Sequence, residues 1–272
     1  MKGAQVAARA IVLGWLLIAV VASLWPPAAE LVSLPGIFAP PGAEAWLGRD
    51  DLGRSVLARL AAGARISLAV AVVVVTVTAL FGTALGLLAG WCGGLVDTLL
   101  LRLTDLFLAF PGILLAIALA GVLGPGISNV MMALCVVGWV GFARLARAQT
   151  LSVKQRDHVQ VAHALGVAPI RIVLRHVLPL IAGPLIVEAS FACAAVIVAE
   201  AGLSFLGLGV QAPTPSWGSM IRDGARYLLV APHLVLMPGL ALASLVVAIN
   251  LLGDALRDQL DPRTLRAVPA IH

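Results

Sequence analysis

The chain has 272 residues, of which 61% are hydrophobic and 11% charged, and its mean hydropathy is +1.05. An ordinary soluble domain carries roughly a quarter of its residues as charges, so this composition excludes a water-soluble globular protein. The net charge of +5 does not point to nucleic acid, because the basic residues are scattered between apolar runs rather than clustered with aromatics.

A helix crosses the hydrocarbon layer in about 20 apolar residues, satisfying its backbone groups internally where water is absent. Six stretches meet that requirement. Residues 1–9 carry Lys2 and Arg9 and precede a first span over 10–25, stopped by Pro26 and Pro27; its length also suits a signal peptide. A polar loop over 26–65 follows. From Ile66 to Cys92 no residue is charged, and Gly82, Gly86 and Gly90 recur on one helix face, a spacing that permits close helix packing. The run between Asp105 and Arg144 is also uncharged and too long for one span, and Gly124-Pro125-Gly126 divides it into two helices joined by a tight turn. The fifth span is expected over 177–205 and the sixth over 228–253, completing a five-helix core over 66–254 before a tail over 255–272. The expected class is therefore an all-α, polytopic integral membrane protein with six transmembrane helices. Cys92, Cys135 and Cys193 lie far apart in or beside apolar runs, which indicates neither a metal clip nor a disulfide framework.

Orientation follows from the distribution of Lys and Arg between alternate loops. Of the 18 basic residues, 12 fall on the side of the termini and of the loop after span four: Lys2, Arg9, Arg102, Arg144, Arg147, Lys154, Arg156, Arg171, Arg175, Arg257, Arg263 and Arg266. Both termini are thus expected in the cytoplasm and the loop over 26–65 outside, although that loop holds Arg49, Arg54, Arg59 and Arg65.

The segment 149–179 is too polar to cross the membrane. Within it Val159, Ala162, Leu165 and Gly166 stand three and four apart, predicting a short helix with one dockable face before Pro169, or an amphipathic connector on the headgroups. Three acids fall in apolar surroundings, where a charge needs a partner or a water-filled cavity. Asp105 has Arg102 three residues before it and suits a helix-end pair. Glu188 and Glu200 lie about 18 Å apart along one helix and about 120° apart around it, so they cannot form one site; Glu200 is open to a pathway role or a structural hydrogen bond, and Glu188 to facing a translocation path or pairing with a basic residue of a sister subunit. A phosphate-binding loop is excluded, since neither lysine, Lys2 or Lys154, follows a glycine. The five histidines form no HxxxH or HExxH pair, so no catalytic or metal constellation is indicated.

Four motifs in order carry a family resemblance. Gln160-Val161-Ala162, three residues, Gly166, continuing to Val177-Leu178-Pro179, resembles the cytoplasmic loop of bacterial ABC importer permeases, with Gln160 and Val161 replacing the usual Glu and Ala. Leu47 to Ser55, Ala199 to Gly218 and Asn250 to Arg263 resemble the dipeptide, oligopeptide and nickel branch, in particular the second of its paired membrane subunits. The resemblance implies a type I importer permease in the bacterial cytoplasmic (inner) membrane, in which a coupling helix formed by Gln160, Ala162, Ala164, Leu165 and Gly166 seats in an ATPase subunit. It also implies a second permease subunit as heterodimer partner, two ATPase subunits that bind ATP and Mg, an extracytoplasmic solute-binding protein, and surrounding membrane lipid. No cofactor is expected in this chain and no enzymatic activity. The implied cargo is a di- or oligopeptide, with nickel or glutathione-like solutes as alternatives; an ion-coupled secondary transporter is the competing class.

Overall fold

A computed structural model describes residues 2–25, 29–43 and 45–260. Pro26 and Pro27, and residues 261–272 of the expected tail with Arg263 and Arg266, lie outside them.

The chain runs through α1 (Lys2–Leu24), α2 (Val56–Cys92), α3 (Gly94–Leu108), α4 (Gly112–Leu123), α5 (Ile127–Lys154), α6 (Asp157–Ala164), α7 (Pro169–Ile172), a π-helical turn (Val173–Val177), α8 (Leu178–Phe205), α9 (Trp217–Ala225) and α10 (His233–Leu260). Among the described residues there is no strand, only a bridge between Arg49 and Ser55. Five helical stretches are long and apolar enough to cross a membrane, and the pair α3 and α4, bent by 82°, makes a sixth if taken together. Large apolar side chains such as Leu80, Val122 and Val247 face outward from these helices, the arrangement of a bundle whose solvent is hydrocarbon.

The centre of the bundle is the contact between α2 and α5. A methyl group at Gly82 would overlap the carbonyl of Trp139, one at Gly86 the carbonyl of Ala143, and one at Gly90 would lie 2.8 Å from Cβ of Thr150. The glycine stripe read from the sequence thus lets two backbones touch, and α5 answers it with small residues, Ala143, Ala146 and Thr150, all fully buried. Around this pair, α2 also packs on α8 and α1, and α10 packs on α8, α1 and α9. The first helix is fastened by Trp15, whose Nε1 donates to Ser244 Oγ at 3.0 Å and whose ring stands edge-on to Trp217 at 4.9 Å.

Helix ends follow local chemistry. α2 begins at Val56 rather than Ile66, because Ser55 caps it by accepting from the Ala58 N–H at 3.4 Å, and the buried Arg59 is held beside Asp50 at 3.4 Å. α2 ends where Gly93 and Gly94 adopt positive φ of 66° and 54°. The expected third span is not one helix. Pro111 lacks an N–H and disfavours helical geometry in the residue before it, so α3 stops, the chain turns by 82°, and α4 restarts at Gly112. The turn after α4 is closed by Asn129, whose Nδ2 donates to the Leu123 and Gly124 carbonyls at 2.9 and 3.0 Å. Before α8, the Leu178 N–H reaches five residues back to the Val173 carbonyl, and Pro179 contributes no donor, which accounts for the π turn and for a helical stretch that starts at Pro169, well before position 177.

Replacing Gly86 with Leu is expected to lower the unfolding free energy of the detergent-purified chain by at least about 3 kcal/mol, the upper end for overpacking. Gly14→Leu, where a Cβ meets nothing within 4 Å, should leave the denaturant midpoint unchanged.

Candidate functional site

The bundle end that carries Lys154, Arg156, Arg171 and Arg175 holds the first candidate site. α5 delivers the chain there, and two cationic contacts fix its last turns. Arg147 makes a two-pronged ion pair with Asp97 of α3, its Nη2 donating to Oδ2 at 2.7 Å. Lys154 donates to the Trp91 carbonyl at 2.6 Å and sits 5.3 Å from the centre of the Trp91 ring. The two contacts flank the turn between α2 and α3, one on the last turn of α2 and one on the first turn of α3.

α6 then folds back on the bundle. Val159 and Ala162 are buried in a cluster with Leu87, Ala146, Ile172 and Ile181. Gly166 ends the helix at φ 75°, with the Gly166 N–H donating to His163 O at 3.0 Å and the Val167 N–H to Ala162 O at 3.1 Å. This is the paired bonding of a Schellman stop, which favours glycine at its left-handed residue. Pro169, whose fixed φ suits the first position of a helix, opens the next one.

The expected single dockable face is therefore divided. Ala162 is turned into the chain's own core together with Val159, because the helix needs that pair to hold it against α5 and α8. Gln160, Ala164, Leu165 and Gly166 face outward, and Leu165 is 78% exposed. Val161, not among the expected docking residues, joins them at 57% exposed. Between α6 and the end of α2 lies a groove of about 410 Å³ walled by Trp91, Lys154, Gln155, Gln160 and His163.

The three acids separate. Asp105 pairs not with Arg102 but with Arg144 of α5 at 3.7 Å, at an exposed position. Glu200 is fully buried and accepts from Ser204 Oγ at 2.7 Å and from Ser67 Oγ at 2.9 Å, joining α8 to α2. Ser204 also accepts from the Val210 N–H at 3.4 Å, so the carboxylate organises the chain that leaves α8. The neighbouring Trp217 is buried with its Nε1 donating to Leu60 O at 3.1 Å, and a methyl group on Gly218 would overlap the Ala201 carbonyl. The Ala199–Gly218 run is thus a packing motif. Glu188 is half-buried where α8 passes Gly141 of α5, with no hydrogen bond or ion pair among the described residues.

A second cavity, of about 700 Å³, opens between α4, α5, α8 and α10. None of the three acids lines it. Asn250 is the single side chain in its wall that bears a polar group.

A family model described as the binding-protein-dependent transport system inner membrane component matches residues 82–266. The chain belongs to that family. This permease is 43% identical over 223 residues, covering 82% of its own length, to the dipeptide transport system permease protein DppC of Alkalihalophilus pseudofirmus, 73% of which is matched. Over the same length it is 43% identical to the glutathione transport system permease protein GsiD of Pectobacterium atrosepticum and of Escherichia coli O157:H7, matching 74% of each. Its fold is similar to that of the MetNI methionine ABC transporter in an inward-facing conformation, with a TM-score of 0.60 and 18% identity, covering 75% of this chain and 97% of the other. The protein is therefore a multi-pass inner-membrane transport component of the dipeptide/oligopeptide type of ABC permease, with the type I importer fold.

Asp97 and Arg147 stand 50 residues apart, and no local pattern in the sequence pairs them. Replacing Arg147 with Met leaves the Asp97 carboxylate without its partner and is expected to cost about 1–2 kcal/mol in the unfolding of the purified permease. Asp97→Asn combined with Arg147→Met should cost little more than Arg147→Met alone, a double-mutant coupling that independent surface charges would not give.

Proposed function

We propose that this permease forms half of the translocation pathway of an ATP-driven, binding-protein-dependent importer of di- or oligopeptides. The observation that carries the reading is the outward face of α6, where apolar Val161 and Leu165 stand exposed on a helix whose other face is fastened to the bundle. An exposed apolar patch on a polar, basic loop is what a partner's cleft covers. In this reading α6 is the coupling helix, the basic end is cytoplasmic with both termini, and the opposite end meets an extracytoplasmic solute-binding protein.

The partners are a second, different permease subunit and two ATPase subunits, which carry ATP and Mg and perform the hydrolysis; this chain is not an enzyme. The Arg147–Asp97 and Lys154–Trp91 contacts support a role for the α2–α3 turn in moving with α6. A peptide cargo is supported by two relatives whose names specify dipeptide and glutathione, both short peptides.

The test is co-purification with candidate ATPase subunits co-expressed with this chain. Leu165→Asp adds a charge at an open position and should lose the ATPase while leaving the permease fully folded. Val159→Asp, at a site 1% exposed, should instead destabilise the permease itself by several kcal/mol. Retention of ATPase by a folded Leu165→Asp permease would sink the docking assignment.

A further inference from the structure

We propose that Asn250 is the side chain of this permease that hydrogen-bonds the peptide group of the solute in transit, within a wall that carries no charge. The inference rests on the proposed importer function and names what its pathway recognises.

The cavity between α4, α5, α8 and α10 has small residues at Gly112, Gly138, Ala195 and Gly202, which leave its volume of about 700 Å³ open. Its wall is otherwise aliphatic apart from Phe191. Asn250 is ten residues before the end of α10 at Leu260, hence about 15 Å inside the helix from the basic end. Its Nδ2 donates to the Val246 carbonyl at 3.0 Å. That bond settles the amide orientation, because a carbonyl oxygen accepts only from the NH2 side. The Oδ1 atom has no donor among the described residues.

A polar atom at this depth costs free energy unless something satisfies it. An apolar helix of the sister subunit, or a lipid chain, laid over the wall would leave Oδ1 unpaired. A peptide supplies N–H donors at every residue, and water supplies them between transport events. With no carboxylate, ammonium or imidazole in the wall, side-chain charge is not read here, so short peptides of differing charge pass a common amide contact.

The experiment uses the assembled importer, with both permease subunits, its ATPases and its binding protein, in proteoliposomes. In a form with Cys92, Cys135 and Cys193 replaced by Ser, Asn250→Cys is probed with a charged, membrane-impermeant thiosulfonate in nucleotide-free and vanadate-trapped states. Uptake and ATPase activity are compared for wild type and Asn250→Leu with neutral, cationic and anionic dipeptides. The expected result is labelling of the introduced thiol that a dipeptide slows. Asn250→Leu should lower uptake of all three peptides about fivefold, the factor corresponding to one hydrogen bond, while the binding protein still stimulates the ATPase fully. No labelling in either state, or unchanged uptake by Asn250→Leu, overturns the proposal. An equal fall in uptake and ATPase stimulation also overturns it, marking a coupling defect instead. If wild type moves no peptide while another cargo slows labelling of the introduced thiol, the peptide reading fails and the placement of Asn250 in the pathway does not.

Discussion

Two backbones in near contact hold this molecule in shape. Lipid tails are as apolar as leucine, so a membrane bundle gains little from merely hiding apolar surface between helices, and close packing has to supply the cohesion. Gly82, Gly86 and Gly90 supply it by leaving no Cβ at the three positions of α2 that come closest to the Trp139 and Ala143 carbonyls and to Thr150 of α5. The basic end of the bundle depends on that registration. Because α5 is seated along α2, its last two turns place Arg147 over Asp97 and Lys154 over the Trp91 carbonyl, and α6 starts from a fixed point.

The parts of the fold legible in the sequence were those governed by local rules. The glycine repeat, the uncharged runs, the short helix before Pro169 and the break at Gly124-Pro125-Gly126 each depend on a few consecutive residues, and each stands in the structure as a recognisable element. Less legible was whatever depended on tertiary neighbours. Arg59 and Arg65 made the start of α2 look like loop, yet Arg59 is buried beside Asp50 and only Ser55 marks the helix start. Pro111 sits in an unbroken apolar run, so its 82° bend is invisible to hydropathy, although the residue's own chemistry is the cause. The 3.6-residue period grouped Val159, Ala162 and Leu165 on one side of α6, but the Schellman stop at Gly166 ends the helix first, and Leu165 turns outward while its two companions turn in.

The intramembrane acids show the same contrast in energetic form. A carboxylate in hydrocarbon must be satisfied, and each acid here meets a different circumstance. Glu200 receives two serine hydroxyls and lies inside the fold, which makes it a structural junction for α2, α8 and the run that leads to α9. Asp105 faces Arg144 where both are exposed. Glu188 is answered by nothing among the described residues. Sequence spacing separated Glu188 from Glu200 correctly as two sites, but their partners lie on other helices, and spacing along α8 carries no information about those.

In the proposed importer, a physical route joins the outward face of α6 to the cavity. α6 is fastened inward by Val159 and Ala162, and the turn after α2 is fastened to α5 by Arg147 and Lys154. A force on the outward face of α6 therefore acts on a block that includes the start of α3. From there the chain reaches the bend at Pro111, and beyond the bend α4 forms one wall of the 700 Å³ cavity through Gly112, Ile113 and Ala116. In that reading, a helix pair already bent by 82° would transmit such a displacement differently from a straight span, with α3 tilting with the block while α4 pivots about residues 109–111. If α6 docks an ATPase as proposed, Pro111 has a mechanical reason to stand in a run that an unbroken helix would otherwise occupy, since an unbroken span would tie the cavity wall rigidly to that end.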